Sequence, residues 1–141
     1  MLLLSLLGWA GRRPAALGVH DGRLAPCAAR PNCVSSDAAD AAHRVEPFRL
    51  ALPAPEAWAA ARRAVAKLPR VTVVTEREGY LHAECESRLL RFVDDLELQL
   101  RPADGAIAVR SASRLGYSDL GVNRARVEEL RERLRAQGAL R

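Results

Sequence analysis

The chain has 141 residues, 49% hydrophobic and 28% charged, a balance that excludes a disordered chain and fits one globular domain. Its net charge of +5 points toward nucleic acid, but Lys67 is the only lysine, 21 of the 22 basic residues are arginine, and aromatics are only 4%. Arginine beside abundant alanine reads as codon bias, and so few aromatics leave little for stacking bases, so nucleic acid is set aside as a partner.

Residues 1–17 open with MLLLSLLGWAGRR, apolar from Leu2 to Ala10 and then basic at Arg12 and Arg13. A membrane span needs about twenty apolar residues, and this run is too short. With only the α-amine ahead of it, the run reads as a degenerate or truncated export signal. A short foot giving weak membrane association through residues 2–10 is the competing reading, and a core helix the third. Residues 18–42 have no sustained period but many Gly, Pro, Ala, Ser and Asp, the signature of an extended arm. The arm carries LAPCAARPNCVSS, with Cys27 and Cys33 six apart.

Residues 43–141 read as a single α+β domain. His43 to Leu52 alternates at Val45, Phe48 and Leu50, an edge strand interrupted by Pro47. PAPEAWAAARRAVAKLP predicts a helix, with Pro55 in its first turn, Trp58, Ala61, Val65 and Leu68 on one face, and Pro69 as its stop. Two strand-like runs follow around the tight turn Glu78-Gly79, then RFVDDLELQL and AIAVRSASR joined by RPADG. NRARVEELRERLRAQG predicts the last helix, with Asn123 as N-cap, Val127, Leu130 and Leu134 as its apolar stripe and Gly138 as its stop. The order predicts one mainly antiparallel sheet of about five strands packed against two helices.

Turn length fixes register. With Arg101 opposite Ala106, Leu100 faces Ile107, Leu98 faces Val109, Leu96 faces Ser111 and Asp94 faces Ser113. Asp94 then lies on the core side, where a carboxylate must be hydrogen-bonded, with Ser111, Ser113 or a backbone amide as candidate donors. On the other face Glu97 opposes Arg110, and Asp95 is diagonal to Arg110 and near Arg114. The bland reading of that face is a solvated surface with ordinary cross-strand pairs. The small polar residues around Arg110 argue instead for its burial against Asp94 or Asp95. In the preceding strand Tyr80, His82, Glu84 and Glu86 share a face. His82 or Glu84 with Asp94 and Asp95 would be the acid–base set of a small enzyme. No nucleophile elbow, phosphate-binding loop, dinucleotide fingerprint or HExxH occurs, so no cofactor is expected and catalysis stays the secondary reading.

LAPCAARPNCVSS, YLHAECESRLLRFVDDLEL and VRSASRLGYSDLGVNRARVEELR together resemble the uncharacterised bacterial and plastid family known as domain of unknown function 1499, from about Gly18 to Leu134. The resemblance implies an architecture, an export signal or membrane segment ahead of the domain, and a set of motif positions, not a reaction. Those positions are Asn32, Cys33, Ser35, Ser36, Arg91, Asp94, Asp95, Arg110, Ser111, Ser113, Arg114, Gly116, Asp119, Gly121, Asn123 and Arg124. The chain departs from the family pattern at Ala28, where a proline commonly stands, and in its short leader.

Cys27 and Cys33 are not spaced as a metal knuckle, and His20, His43 and His82 show no paired spacing. No C-x-x-C opens a helix, and the apolar run ends too far from Cys27 for lipid attachment. The remaining reading is a disulfide closing a small loop in an oxidising compartment, with two buried free thiols as the alternative. Cys85, on the apolar face of its strand, is expected to be an unpaired core residue.

The functional expectation is an accessory or binding module of the periplasm or cell envelope, with an anionic small molecule or an envelope protein as its partner. Its candidate ligand-binding residues are Arg110, Ser113, Arg114, Asp119, Asn123 and Arg124. Gly116 and Gly121 would let the chain turn and bring Arg114 back to the start of the last helix. There the unpaired N–H groups and the dipole favour a carboxylate or phosphate. The competing reading has Arg110, Arg114, Asp119 and Arg124 tying that helix to the sheet through buried ion pairs.

Overall fold

The structure, a computed structural model, describes residues 12–88 and 91–141. The apolar run Leu2–Ala10 lies outside them. A ribbon of β1 (Val19–His20) and β2 (Arg23–Leu24) comes first, then β3 (Cys33–Ser35) and β4 (Phe48–Arg49). Helix α1 (Ala54–Ala66) leads into β5 (Val71–Arg77), β6 (Tyr80–Glu86), β7 (Val93–Arg101) and β8 (Ala106–Ser113), and α2 (Val122–Ala136) closes the fold. The main sheet is antiparallel with order β3-β8-β7-β6-β5, and β4 also pairs with β8.

The α+β sandwich is as the sequence predicts, with six strands in the main sheet. Cys33–Ser35, on the arm side of the boundary drawn at residue 43, is one of them and pairs with Ala112, Ser111 and Arg110 of β8. The strand expected over His43–Leu52 shrinks to Phe48–Arg49, opposite Ile107 and Ala106. β3 and β4 thus divide one edge of β8 between them. Pro47 has no N–H to give a ladder there. Val45, Phe48 and Leu50 are buried all the same.

The β7–β8 register follows from its turn throughout, and the β5–β6 register as far as Thr75. Arg77 pairs with Tyr80 across Glu78-Gly79, where Gly79 holds φ 69°. β7 and β8 pair from Arg101–Ala106 to Asp94–Ser113, with Glu97 opposite Arg110. Alternation then divides the sheet. Leu81, Ala83, Cys85, Leu96, Leu98, Ile107 and Val109 face the helices and form the core with Val127, Leu130 and Leu134 of α2. Helix α1 contributes a face of Ala57, Ala60, Ala61, Ala64 and Val65, small enough for close approach, with Trp58 at its margin.

Helix α2 begins one residue earlier than its expected cap. Gly121 stands at the N-cap, and the side chain of Asp119 accepts from the Gly121 and Asn123 N–H groups at 2.8 and 3.0 Å. Asn123 instead turns its amide into the interior. It accepts from Ser111 Oγ (2.7 Å) and donates to the Asn32 carbonyl and Ser113 Oγ. Gly138, at φ 73°, ends the helix as expected. No helix among the described residues is long and apolar enough to cross a membrane.

Cys27 and Cys33 form a disulfide, and Cys85 is a buried free thiol whose pKa burial pushes up to about 11. Closing so short a loop contributes about 2 kcal/mol in the chain-entropy estimate. Replacing Cys27 and Cys33 by serine should therefore lower the melting temperature by about 4–8 °C. Thiol labelling after unfolding without reductant should find one reactive group per chain; three would mean the bond does not form in the native protein.

Candidate functional site

The face of the sheet turned away from the helices is polar and covered. Tyr80, His82 and Glu84 of β6, Asp95, Glu97 and Gln99 of β7 and Arg110 of β8 alternate onto it. Arg13, from the stretch just ahead of the arm, and arm residues from Gly18 to Pro26 contact it. Glu97 is 0% exposed, Asp95 1% and His82 2%, so the solvated-face reading is overturned and the burial of Arg110 holds. Buried charges need partners, and this face supplies them across the strands.

Glu97 is the first hub. Its Oε2 accepts from Tyr80 Oη at 2.6 Å and from the Gly18 N–H at 2.8 Å, and its Oε1 from Arg110 Nη1 at 3.3 Å. Burial, then the bond to Glu97, pushes the Tyr80 phenol well above its ordinary range. Arg110 Nη2 reaches the Pro26 carbonyl, while its Nε is buried without a hydrogen-bond partner among the described residues. The partner of Arg110 is thus Glu97, not Asp94 or Asp95.

Asp95 is the second hub. Its Oδ1 accepts from His82 Nε2 (2.7 Å) and Arg114 Nη2 (2.8 Å), and its Oδ2 from Arg114 Nε (2.8 Å). Burial pushes this carboxyl up, but Arg114 and then His82 outweigh it and hold the group below the usual carboxylate range. Arg114 also bonds Glu84, which Arg13 meets from the arm. Asp95 is a carboxylate and can only accept, so Nε2 of His82 carries the proton. In the neutral ring Nδ1 is then an acceptor, and among the described residues it has no hydrogen-bond partner.

Between arm and sheet lies a cavity of about 610 Å³ whose lining includes His82, Tyr80, Gln99, Leu17, Gly18 and Leu100. Thr75 pairs with His82 in the register set by the turn, just before the strand's irregularity between Thr75 and Val73, and lies on the same wall. The residues expected on this face include Tyr80 but not Gln99, Thr75, Arg77 or the arm residues. Strand alternation marks Gln99 as a neighbour of Glu97; nothing in the arm's own pattern marks its docking.

The six candidate ligand-binding residues are divided among separate networks. Arg110 and Arg114 lie on the arm side with Glu97, Asp95 and Glu84. Ser113, Asp119 and Asn123 form the hydrogen-bonded start of α2. Arg124 donates to the carbonyls of Arg44 and Ala42. Gly116 and Gly121 do not return Arg114 to the helix start, because its guanidinium crosses to Asp95. The cysteine loop and the loop before α2 do meet, at a smaller hollow of about 210 Å³ lined by Pro31, Cys33, Ser118, Asp119 and Arg124.

Asp94 is separated from Asp95 by the alternation of β7. It lies on the helix side, and its donor is Arg126 Nη2 at 2.8 Å rather than a serine or an amide. Arg126 also donates to Ser111 Oγ and Asn123 Oδ1. Among the described residues the ion pair tying α2 to the sheet is therefore Arg126–Asp94, a pairing the sequence pattern does not mark because Arg126 falls beside the helix's apolar stripe. Of the acid–base set, His82, Glu84 and Asp95 come together through Arg114; Asp94 does not join them. Among the described residues no group of three or more His, Cys, Asp or Glu side chains is placed to hold a metal ion.

No curated protein and no solved structure matches the chain. The family model described as protein of unknown function (DUF1499) matches residues 23–134, which span the cysteine loop, the whole main sheet and most of α2. The chain belongs to that family.

Proposed function

We propose that this chain is a binding module of the cell envelope that takes a small ligand with an anionic group into the cavity between arm and sheet. The cavity carries the reading. Its volume of about 610 Å³ falls within the roughly 300–1,000 Å³ usual for small-molecule sites. Leu17, Val19 and Leu100 give it apolar walls, and His82 and Gln99 give it polar groups. Arg13 and Arg77 add positive charge to the lining, and Arg77 forms no side-chain hydrogen bond or ion pair among the described residues. Glu78, also in the lining, is the opposing charge. The disulfide supports an oxidising compartment, since such bonds persist where thiols are not kept reduced.

A thermal-shift screen of small carboxylates, phosphate monoesters and their uncharged isosteres, at matched ionic strength, tests this. A ligand at a hundred times its Kd stabilises by about 2.7 kcal/mol, or roughly 5–10 °C for a domain of this size. Arg77→Ala should abolish the preference for anions, and Thr75→Trp, which fills the cavity, should abolish binding altogether. Stabilisation by none of the compounds, or stabilisation indifferent to Thr75→Trp, would remove the cavity as the site. Native mass spectrometry of protein drawn from envelope extract distinguishes a bound small molecule from a bound protein.

The second reading is a small enzyme, and the His82–Asp95 pair favours it. A carboxylate on Nε2 fixes the tautomer and the orientation of the ring, leaving Nδ1 as the base. A ligand altered chemically by the wild-type protein but not by His82→Gln would establish turnover; unchanged ligand in both would leave binding alone.

A further inference from the structure

We propose that one end of the folded domain is a docking face for an anionic phospholipid surface. Strands β6, β7 and β8 present Glu86, Val93 and Ser113 at the same end, where the Arg114 N–H bonds the Val93 carbonyl at 3.2 Å. Two connections leave from it. The β6–β7 connection carries exposed Arg88, Arg91 and Phe92, and the β8–α2 connection carries Tyr117 and Leu120, with Val122 opening the helix. Leu120 is 93% exposed and Tyr117 70%, and with Phe92 and Val122 they are four of the five large apolar side chains exposed among the described residues. Single exposed apolar residues are ordinary on a protein surface; four gathered at one end mark a contact.

The backbone holds two of them outward. Leu120 sits at φ 54° and Arg91, just before Phe92, at φ 53°, left-handed conformations that side-chain-bearing residues rarely adopt. The bonds from the Leu120 N–H to Ser118 Oγ and from the Phe92 N–H to Ser87 Oγ fix both turns.

Charge selects the occupant. Arg88 and Arg91 are exposed in the β6–β7 connection, just ahead of Phe92, and Arg124 is exposed two residues beyond Val122 with its guanidinium on the Arg44 and Ala42 carbonyls. Of the carboxylates, Glu86 and Glu129 line the hollow beside Val122, Glu129 paired with Arg133, and Asp119 is taken up by the N–H groups of α2. Arginines flanking Phe, Tyr, Leu and Val match a surface with anionic headgroups above acyl chains. The chain outside the described residues points the same way. Arg13 bonds Glu84, two residues from the end of β6, and upstream of it the sequence runs through Arg12 into the apolar stretch Leu2–Ala10. One weak insertion gives marginal, reversible binding, and stable association takes two signals. The end of the domain supplies the second.

Sedimentation of the full chain with phosphatidylcholine vesicles, with and without phosphatidylglycerol, tests the face. Binding is expected to the anionic vesicles and not to phosphatidylcholine alone. Leu120→Asp combined with Phe92→Asp should weaken it about tenfold or more, and Arg88→Ser with Arg91→Ser should weaken it and flatten its salt dependence. Both pairs are exposed, so unchanged melting temperatures verify folding. Equal binding by wild type and the Leu120/Phe92 variant would overturn the proposal and leave residues 2–10 as the sole contact. Failure of the wild type to bind anionic vesicles would overturn it too, as would a shift from dimer to monomer in the variant, which would make this end an interface between copies.

Discussion

Arg114→Ala is expected to cost about 3–5 kcal/mol of stability, because it strands a buried carboxylate that, among the described residues, keeps only His82 as partner. Arg114 gives Asp95 two bonds at 2.8 Å and closes on Glu84 as well. Arg114→Lys should recover only part of the loss, since an ammonium cannot offer two parallel donors to one carboxylate. The pH dependence distinguishes a stranded charge from lost packing. The folded pKa of Asp95 is lowered, so its contribution is fully present above the unfolded value of about 3.9 and is lost as pH falls through the lower folded value. Removing Arg114 takes away the leading cause of that lowering and leaves burial, which pushes the carboxyl up. In the variant Asp95 binds its proton at higher pH, and the proton relieves the stranded charge. The deficit in urea midpoint should therefore be largest near pH 7 and shrink as the pH is lowered and Asp95 takes up its proton. A deficit that is the same at both ends would show that packing, not charge, was lost.

Much of the sheet is legible in the sequence because two turns carry it. RPADG sets every β7–β8 pair, and Glu78-Gly79 sets β5–β6 as far as Thr75, so the opposition of Glu97 and Arg110 can be written down from spacing alone, while the shift beyond Thr75 cannot. Spacing tells which residues share a face, and says nothing of what lies across from it. The burial of Glu97 and Asp95 depends on an arm without periodicity. It docks through single bonds between distant positions, such as the Gly18 N–H to Glu97 and Gln99 Nε2 to the Gly22 carbonyl. Such bonds leave no pattern in either segment. The same limit hides β3, whose three residues become a strand only because β8 offers an unpaired edge. The start of α2 fails differently: Asp119 and Asn123 are both good caps, and the choice falls to Asp119 because the interior around Ser111, Ser113 and Asn32 needs an amide.

Glu97→Ala is expected to match Arg114→Ala in cost, at about 3–5 kcal/mol, and to free the arm as well. It leaves Tyr80 and the Gly18 N–H without their acceptor and Arg110 without its counter-charge, in a place where Arg110 Nε is already unpaired. Adding Arg110→Ala to Glu97→Ala should restore part of the loss, because the second truncation removes the stranded charge, and the double-mutant cycle measures their coupling. The phenol and the Gly18 amide remain unsatisfied in the double variant, so recovery should stop well short of wild type. Hydrogen exchange separates the two consequences. The Gly18 amide should lose its protection in Glu97→Ala and in the double variant alike, while Leu96 and Leu98 amides stay protected to the global limit. Equal protection of Gly18 in wild type and Glu97→Ala would mean that the arm is held elsewhere, by the disulfide and the bonds of Arg13 and Gln99. Loss of Gly18 protection without loss of the core would identify Glu97 as the catch that keeps the arm over the cavity. Ligand affinity in Arg110→Ala, where Glu97 keeps its bonds to Gly18 and Tyr80, should then exceed that in Glu97→Ala.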